Sequence, residues 1–157
     1  MSIQRVYKNK KIDVLDEQGN KIGEVCFNPE DVGAYDAFLN ILDKIVESQR
    51  KVKDIGEIED FTDEEIENLK GTEDLEGLED TFSKMKAIFQ ITVDLVDEIN
   101  KDIDSIFGEG ITELFLQGSK DIELLMPLLD GVMPIFQEAR EQKTDKYLNK
   151  PKNDVMA

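Results

Sequence analysis

Carboxylates are the only chemically versatile side chains that this sequence holds in number. It has 36 Asp and Glu, 19 Lys and Arg, one Cys and no His. Paired carboxylates serve general acid–base catalysis and hard-metal binding, so their spacing is tested first. Asp102 and Asp104 flank Ile103 in a stretch of helical periodicity, which puts them on different faces. The calcium-loop template fails there, because Ile106 and Phe107 stand where an oxygen ligand and a Gly are needed. Asp94, Asp97, Glu98 and Asp102 read as the solvent face of that helix. With no His, the commonest general base and metal ligand is missing. That excludes Ser-His-Asp and Cys-His nucleophilic sites, and His-based zinc and haem centres. Cys26 has no partner for an internal disulfide or a Cys-rich metal site, and reads as a small hydrophobe in a strand. Gly108 and Gly110 lack the Lys-Ser/Thr pair of a P-loop and the preceding strand of a dinucleotide fingerprint, so they read as a helix end and a corner. The expectation is a non-enzyme with no catalytic, cofactor or metal residues.

The charge is unevenly placed. The net charge is -17, yet residues 54–80 carry 13 acidic side chains against Lys70 alone, leaving the other 130 residues at -5. Such a run reads as a self-repelling connector. Ile55, Ile58, Phe61, Ile66, Leu69, Leu75 and Leu78 recur within it, more apolar material than a solvating tail carries. Thr62 and Glu65 form a capping box for a short helix over 63–69, ended by Gly71. Negative charge disfavours nucleic acid and anionic membranes as partners. No stretch approaches the ~20 apolar residues of a membrane span, and the basic start, residues 1–11, lacks a signal peptide's apolar run. The expected compartment is the cytoplasm of the host cell.

The elements that position these residues follow from periodicity. Strands over 11–16 and 21–27 flank a Glu17-Gln18-Gly19-Asn20 turn, with Ile3 to Tyr7 as a third-strand candidate. A lone hairpin is marginal in water, so it must pack on a helix or pair with another chain. Asn28-Pro29-Glu30-Asp31 starts a helix running to about Val52. A second helix spans 78–107, with Phe82, Met85, Phe89, Thr92, Val96, Ile99, Ile103 and Ile106 at alternating steps of three and four. After a helical turn over 111–116, a last helix runs over 120–148. There Pro127, Gly131 and Pro134 predict a kink or break around 130–134. Its end turns basic with Arg140, Lys143 and Lys146. Met85, Met126 and Met133 lie in apolar stripes, as core fillers or an adaptable peptide-binding surface. The fold class is mainly α within α+β: one domain over 1–148, a β-hairpin on three principal helices, and a disordered tail over 149–157.

One stretch is more specific. Asp104-Ser-Ile-Phe-Gly-Glu-Gly110-Ile-Thr, Gly118-Ser-Lys-Asp-Ile-Glu123, and Pro134-Ile-Phe-Gln-Glu-Ala-Arg-Glu-Gln-Lys143 to Tyr147 stand in order. This resembles small phage and prophage proteins of Gram-positive hosts, similar to the tail assembly chaperones encoded near the tape measure protein. The resemblance covers about residues 80–148. The chain departs from the pattern at Ile111, where the family more often has Thr directly after the second Gly, and in its longer acidic insertion. The shared motifs are corners and helix faces, so no active site carries over.

The resemblance implies a chaperone that coats the helical tape measure polypeptide and gives way as tail tube subunits polymerise. Partner-binding candidates are Phe107, Phe115, Leu125, Leu129, Val132, Met133 and Phe136, with plain core packing as the competing reading. The alternatives are a structural virion component, such as a minor tail or head-tail connector subunit, and an acidic inhibitor imitating DNA. Self-association into a homo-oligomer stays open.

Overall fold

The computed structural model of the chain describes residues 1–56, 63, 64, 66, 67 and 78–145. Most of the acidic connector and the tail over 149–157 lie outside the described residues. Of the short helix expected over 63–69, Asp63, Glu64, Ile66 and Glu67 are helical, and the rest lies outside them. The fold is mainly helical, with an N-terminal antiparallel hairpin.

Strand β1 (Lys10–Leu15) pairs with β2 (Lys21–Phe27) in a two-stranded sheet, with Ile12 opposite Val25 and a register shift between Val14 and Leu15. Asp16 closes the turn: its Oδ1 accepts from the Gln18 and Asn20 amides at 3.0 and 2.9 Å, while Gly19 takes φ +84°. Such Asx turns and left-handed glycines suit tight connections. Residues 3–7 form no third strand.

Helix α1 (Val32–Ile55) has its N-cap three residues later than the sequence predicts, and starts two residues after the expected 30. Asn28 caps a turn instead, its Oδ1 accepting from the Glu30 amide at 3.0 Å, and Asp31 becomes the N-cap, accepting from the Gly33 amide. Both are good caps, and the chain uses them in succession, with Pro29 buried between them. Gly56 ends α1 with φ +98°. Helix α2 (Glu79–Phe107) is about 43 Å long at 1.5 Å per residue, and Glu79 and Asp80 complement its N-terminal dipole. It packs antiparallel to α1. The two join the core where α1 begins and α2 ends; beyond it, Val46 and Phe89 are exposed. No helix among the described residues is long and apolar enough to cross a membrane.

Lys44 ties the two helices, its Nζ lying 2.7 Å from Asp102 Oδ2 and 3.8 Å from Glu98 Oε1. The Asp102 hydrogen bond raises the Lys44 pKa against partial desolvation. A raised folded-state value stabilises fully below the ordinary lysine pKa of about 10.4, and the effect fades as pH rises through the folded value. The pair is about a third exposed, so Lys44→Met should cost less than about 1 kcal/mol at neutral pH. Denaturation of both proteins at pH 7 and pH 11.5 should show that difference shrinking at the higher pH.

After α2 the chain turns sharply into α3 (Ile111–Leu116), a 3-10 turn (Ile122–Leu125) capped by Asp121, and α4 (Met126–Thr144). Where a kink or break is expected, over 130–134, the helix continues without a break. Pro127 falls in the first turn of α4, where no intrahelical donor is lost. Pro134 lies inside the helix on its exposed side, as do Asp130 and Gly131, so the carbonyl it leaves unbonded faces water.

The core is built around aromatic rings from four elements. Phe136 of α4 lies 5.0 Å from Phe27 of β2, 5.1 Å from Phe38 and 5.2 Å from Tyr35 of α1 (centroid to centroid), while Phe107 of α2 meets Phe27 edge-on at 5.1 Å. Such pairs add to the burial term.

Candidate interaction groove

The α2–α3 corner shapes the principal surface feature. Asp104, in the last turn of α2, accepts from three groups across it: the Gly110 amide at 3.1 Å, the Thr112 amide at 2.9 Å and the Thr112 hydroxyl at 2.8 Å. Gly108 and Gly110 take φ +129° and +83°, which Cβ-bearing residues rarely adopt. Thr112 is fully buried. Its neighbour Ile111 is buried in the apolar core. The corner swings Leu114 and Phe115 towards the hairpin. An added Cβ on Gly23 would lie 2.4 Å from Leu114 Cδ1, so α3 rests on the sheet where β2 has no side chain.

An open groove results, bounded by the hairpin turn, α3 and the start of α4. One part, about 660 Å³, has a floor of Val14, Leu15, Ile22, Leu114, Phe115 and Leu124, and a rim of Asp16, Glu17, Glu113 and Glu123. Among the described residues no Lys or Arg lines it. A second part, about 300 Å³, continues along β1 between Ile12 to Leu15 and the α4 residues Pro127, Leu128, Gly131 and Ile135. Both share Val14, Leu15, Phe115 and Pro127. Leu15 is 57% exposed, although it is a large aliphatic side chain in a strand.

Comparison with known protein families, curated proteins and solved structures finds no match.

The seven sequence-predicted partner residues divide. Phe107, Leu125, Leu129, Val132 and Phe136 are buried core side chains, and Val132 also lines the smaller groove part. Their stripes face the hairpin and α1, and this internal contact gives the strong periodicity. Met133 is half-buried against the core, and Phe115 is half-buried in the groove wall. Only Phe115 joins the exposed apolar surface of the larger groove part.

Leu15, Ile22, Leu114 and Leu124 were not among the candidates. A parity signal marks Ile22: Val25 and Phe27 share one face of β2, and Ile22 belongs to the other. Among the described residues no three potential metal ligands cluster. Cys26 Sγ lies 3.7 Å from the Tyr7 hydroxyl and 3.7 Å from Asn9 Nδ2, away from the groove. An apolar floor with an acidic rim suits the binding of a segment that combines apolar side chains with Lys or Arg.

Proposed function

We propose that this chain is a phage tail assembly chaperone, which holds an apolar, Lys/Arg-bearing segment of the tape measure protein in the groove beside β1. The observation that carries the reading is the groove itself: an apolar floor, exposed at Leu15, Ile22 and Leu124, under four carboxylates. The corner motif that resembles tail assembly chaperones holds α3, whose Leu114 and Phe115 line the groove, through the Asp104–Thr112 bonds. A sequence without His agrees with work done by binding. Electrostatic rims favour rapid capture, and an open groove favours release, which a chaperone needs as tail tube subunits replace it.

Co-expression with the tape measure protein tests this reading. The chain should keep that protein in solution, co-purify with it, and be absent from mass spectra of finished particles. Unchanged tape measure solubility overturns the chaperone role. Stoichiometric presence in particles overturns it in favour of a structural tail subunit.

A further inference from the structure

We infer that the groove beside β1 also takes residues 1–6 of a second copy of this chain as an added strand, so that copies associate through their N-terminal arms. Three observations on different parts of the molecule meet here. First, the arm carries unburied apolar surface: Ile3 is 97% and Val6 75% exposed, and Met1 is fully exposed. Arg5 lies between them, and Lys8 follows. Apolar side chains this open on one short segment call for a cover.

Second, β1 has an edge to which no strand among the described residues pairs, since the sheet holds β1 and β2 alone. An edge strand offers a row of backbone donors and acceptors to an incoming segment. The 300 Å³ channel runs beside β1 and is lined by its residues Ile12 to Leu15. Six extended residues span about 20 Å, the length of a six-residue strand.

Third, the charges match. The groove rim bears Asp16, Glu17, Glu113 and Glu123, and residues 1–6 carry Arg5 and no acidic side chain. The arm of the same copy points elsewhere. Tyr7 lies against Cys26 of β2, and Lys8 Nζ is 2.9 Å from Glu30 Oε2, before α1. Residues 1–6 therefore leave from the Lys10 end of β1, opposite the Leu15–Asp16 end where the acidic rim stands. A neighbouring copy supplies the fitting occupant. In such an assembly each groove is covered until a tighter-binding segment displaces the arm. The inference concerns arm and groove, and stands whichever client the groove serves.

Sedimentation equilibrium of the full chain and of a chain lacking residues 1–6 tests it, together with a fluorescent peptide of residues 1–9. The truncation keeps Tyr7 and Lys8 with their contacts, and circular dichroism checks its fold. The full chain should show a weight-average mass above its 17.9 kDa monomer, and the truncated chain should be monomeric. The peptide should bind the truncated chain, and its affinity should fall at least 10-fold with Glu113→Lys plus Glu123→Lys, or with Arg5→Glu in the peptide. Arg5→Glu in the full chain should also weaken association, which keeps the test valid if the truncation misfolds. Equal masses for the full and Arg5→Glu chains, or peptide binding indifferent to the rim charges, would overturn the inference. Loss of tape measure co-purification with arm binding intact would count against the chaperone reading alone.

Discussion

Phe136→Ala should lower the unfolding free energy by about 3–5 kcal/mol, the range for truncating a buried Phe. Its ring is fully buried and within 5.2 Å (centroid distance) of Phe27, Phe38 and Tyr35. Removing it opens a cavity where the hairpin, α1 and α4 meet, and no neighbour on this rigid framework can refill it. At about 2–4 °C per kcal/mol for a chain of this size, the midpoint of thermal unfolding should fall by roughly 6–20 °C. Phe136→Leu should lose much less, because most of the volume remains. The comparison also separates core from partner surface. A docking residue would lose binding and keep its melting temperature, whereas a core residue does the reverse. A loss below about 1 kcal/mol would contradict the packing described for α4.

Asp104→Ala should cost about 1–3 kcal/mol, the range for a buried donor left without its acceptor, here the Thr112 amide. The Gly110 amide is exposed and can turn to water. The Thr112 hydroxyl can turn its one hydrogen to the Asn100 carbonyl, 3.3 Å away. The buried Thr112 amide has no such substitute, so its loss dominates. Asp104→Asn keeps one acceptor oxygen and should lose about half as much. Urea denaturation of the three proteins checks this order. Equal stability of wild type and Asp104→Ala would show that the two glycines alone hold the corner. The same variant loosens α3, and with it Leu114 and Phe115 in the groove wall. Weakened partner capture should accompany its lower stability.

The helices were legible because their apolar spacing is strong. The second helix is expected over 78–107 and observed over Glu79–Phe107. Boundaries failed where two local signals compete. Asn28-Pro29 and Asp31 are both sound helix starts, and burial of Pro29 in the turn decides for the later one. Pro127 reads as a helix breaker in isolation, yet it becomes harmless once the 3-10 turn before it sets the helix start at Met126. The groove was far less legible. Its walls come from residues 12–25, 113–117 and 123–135, so no local pattern marks it. Strong stripes such as Leu125, Leu129 and Phe136 enter the core, which is what periodicity that regular reports. The exposed site is instead made of residues that break a pattern: Leu15 after the β1 register shift, and Ile22 on the wrong parity.

Capture of the tape measure protein by rim-reversed chains tests the central claim most directly. Leu15→Lys with Glu123→Lys alters one exposed floor residue and one exposed rim residue, both outside the buried core. The expected result is a double variant that melts within about 1 kcal/mol of the wild type and no longer co-purifies with the tape measure protein or keeps it in solution. Capture undiminished in that folded variant would contradict the groove as the binding site.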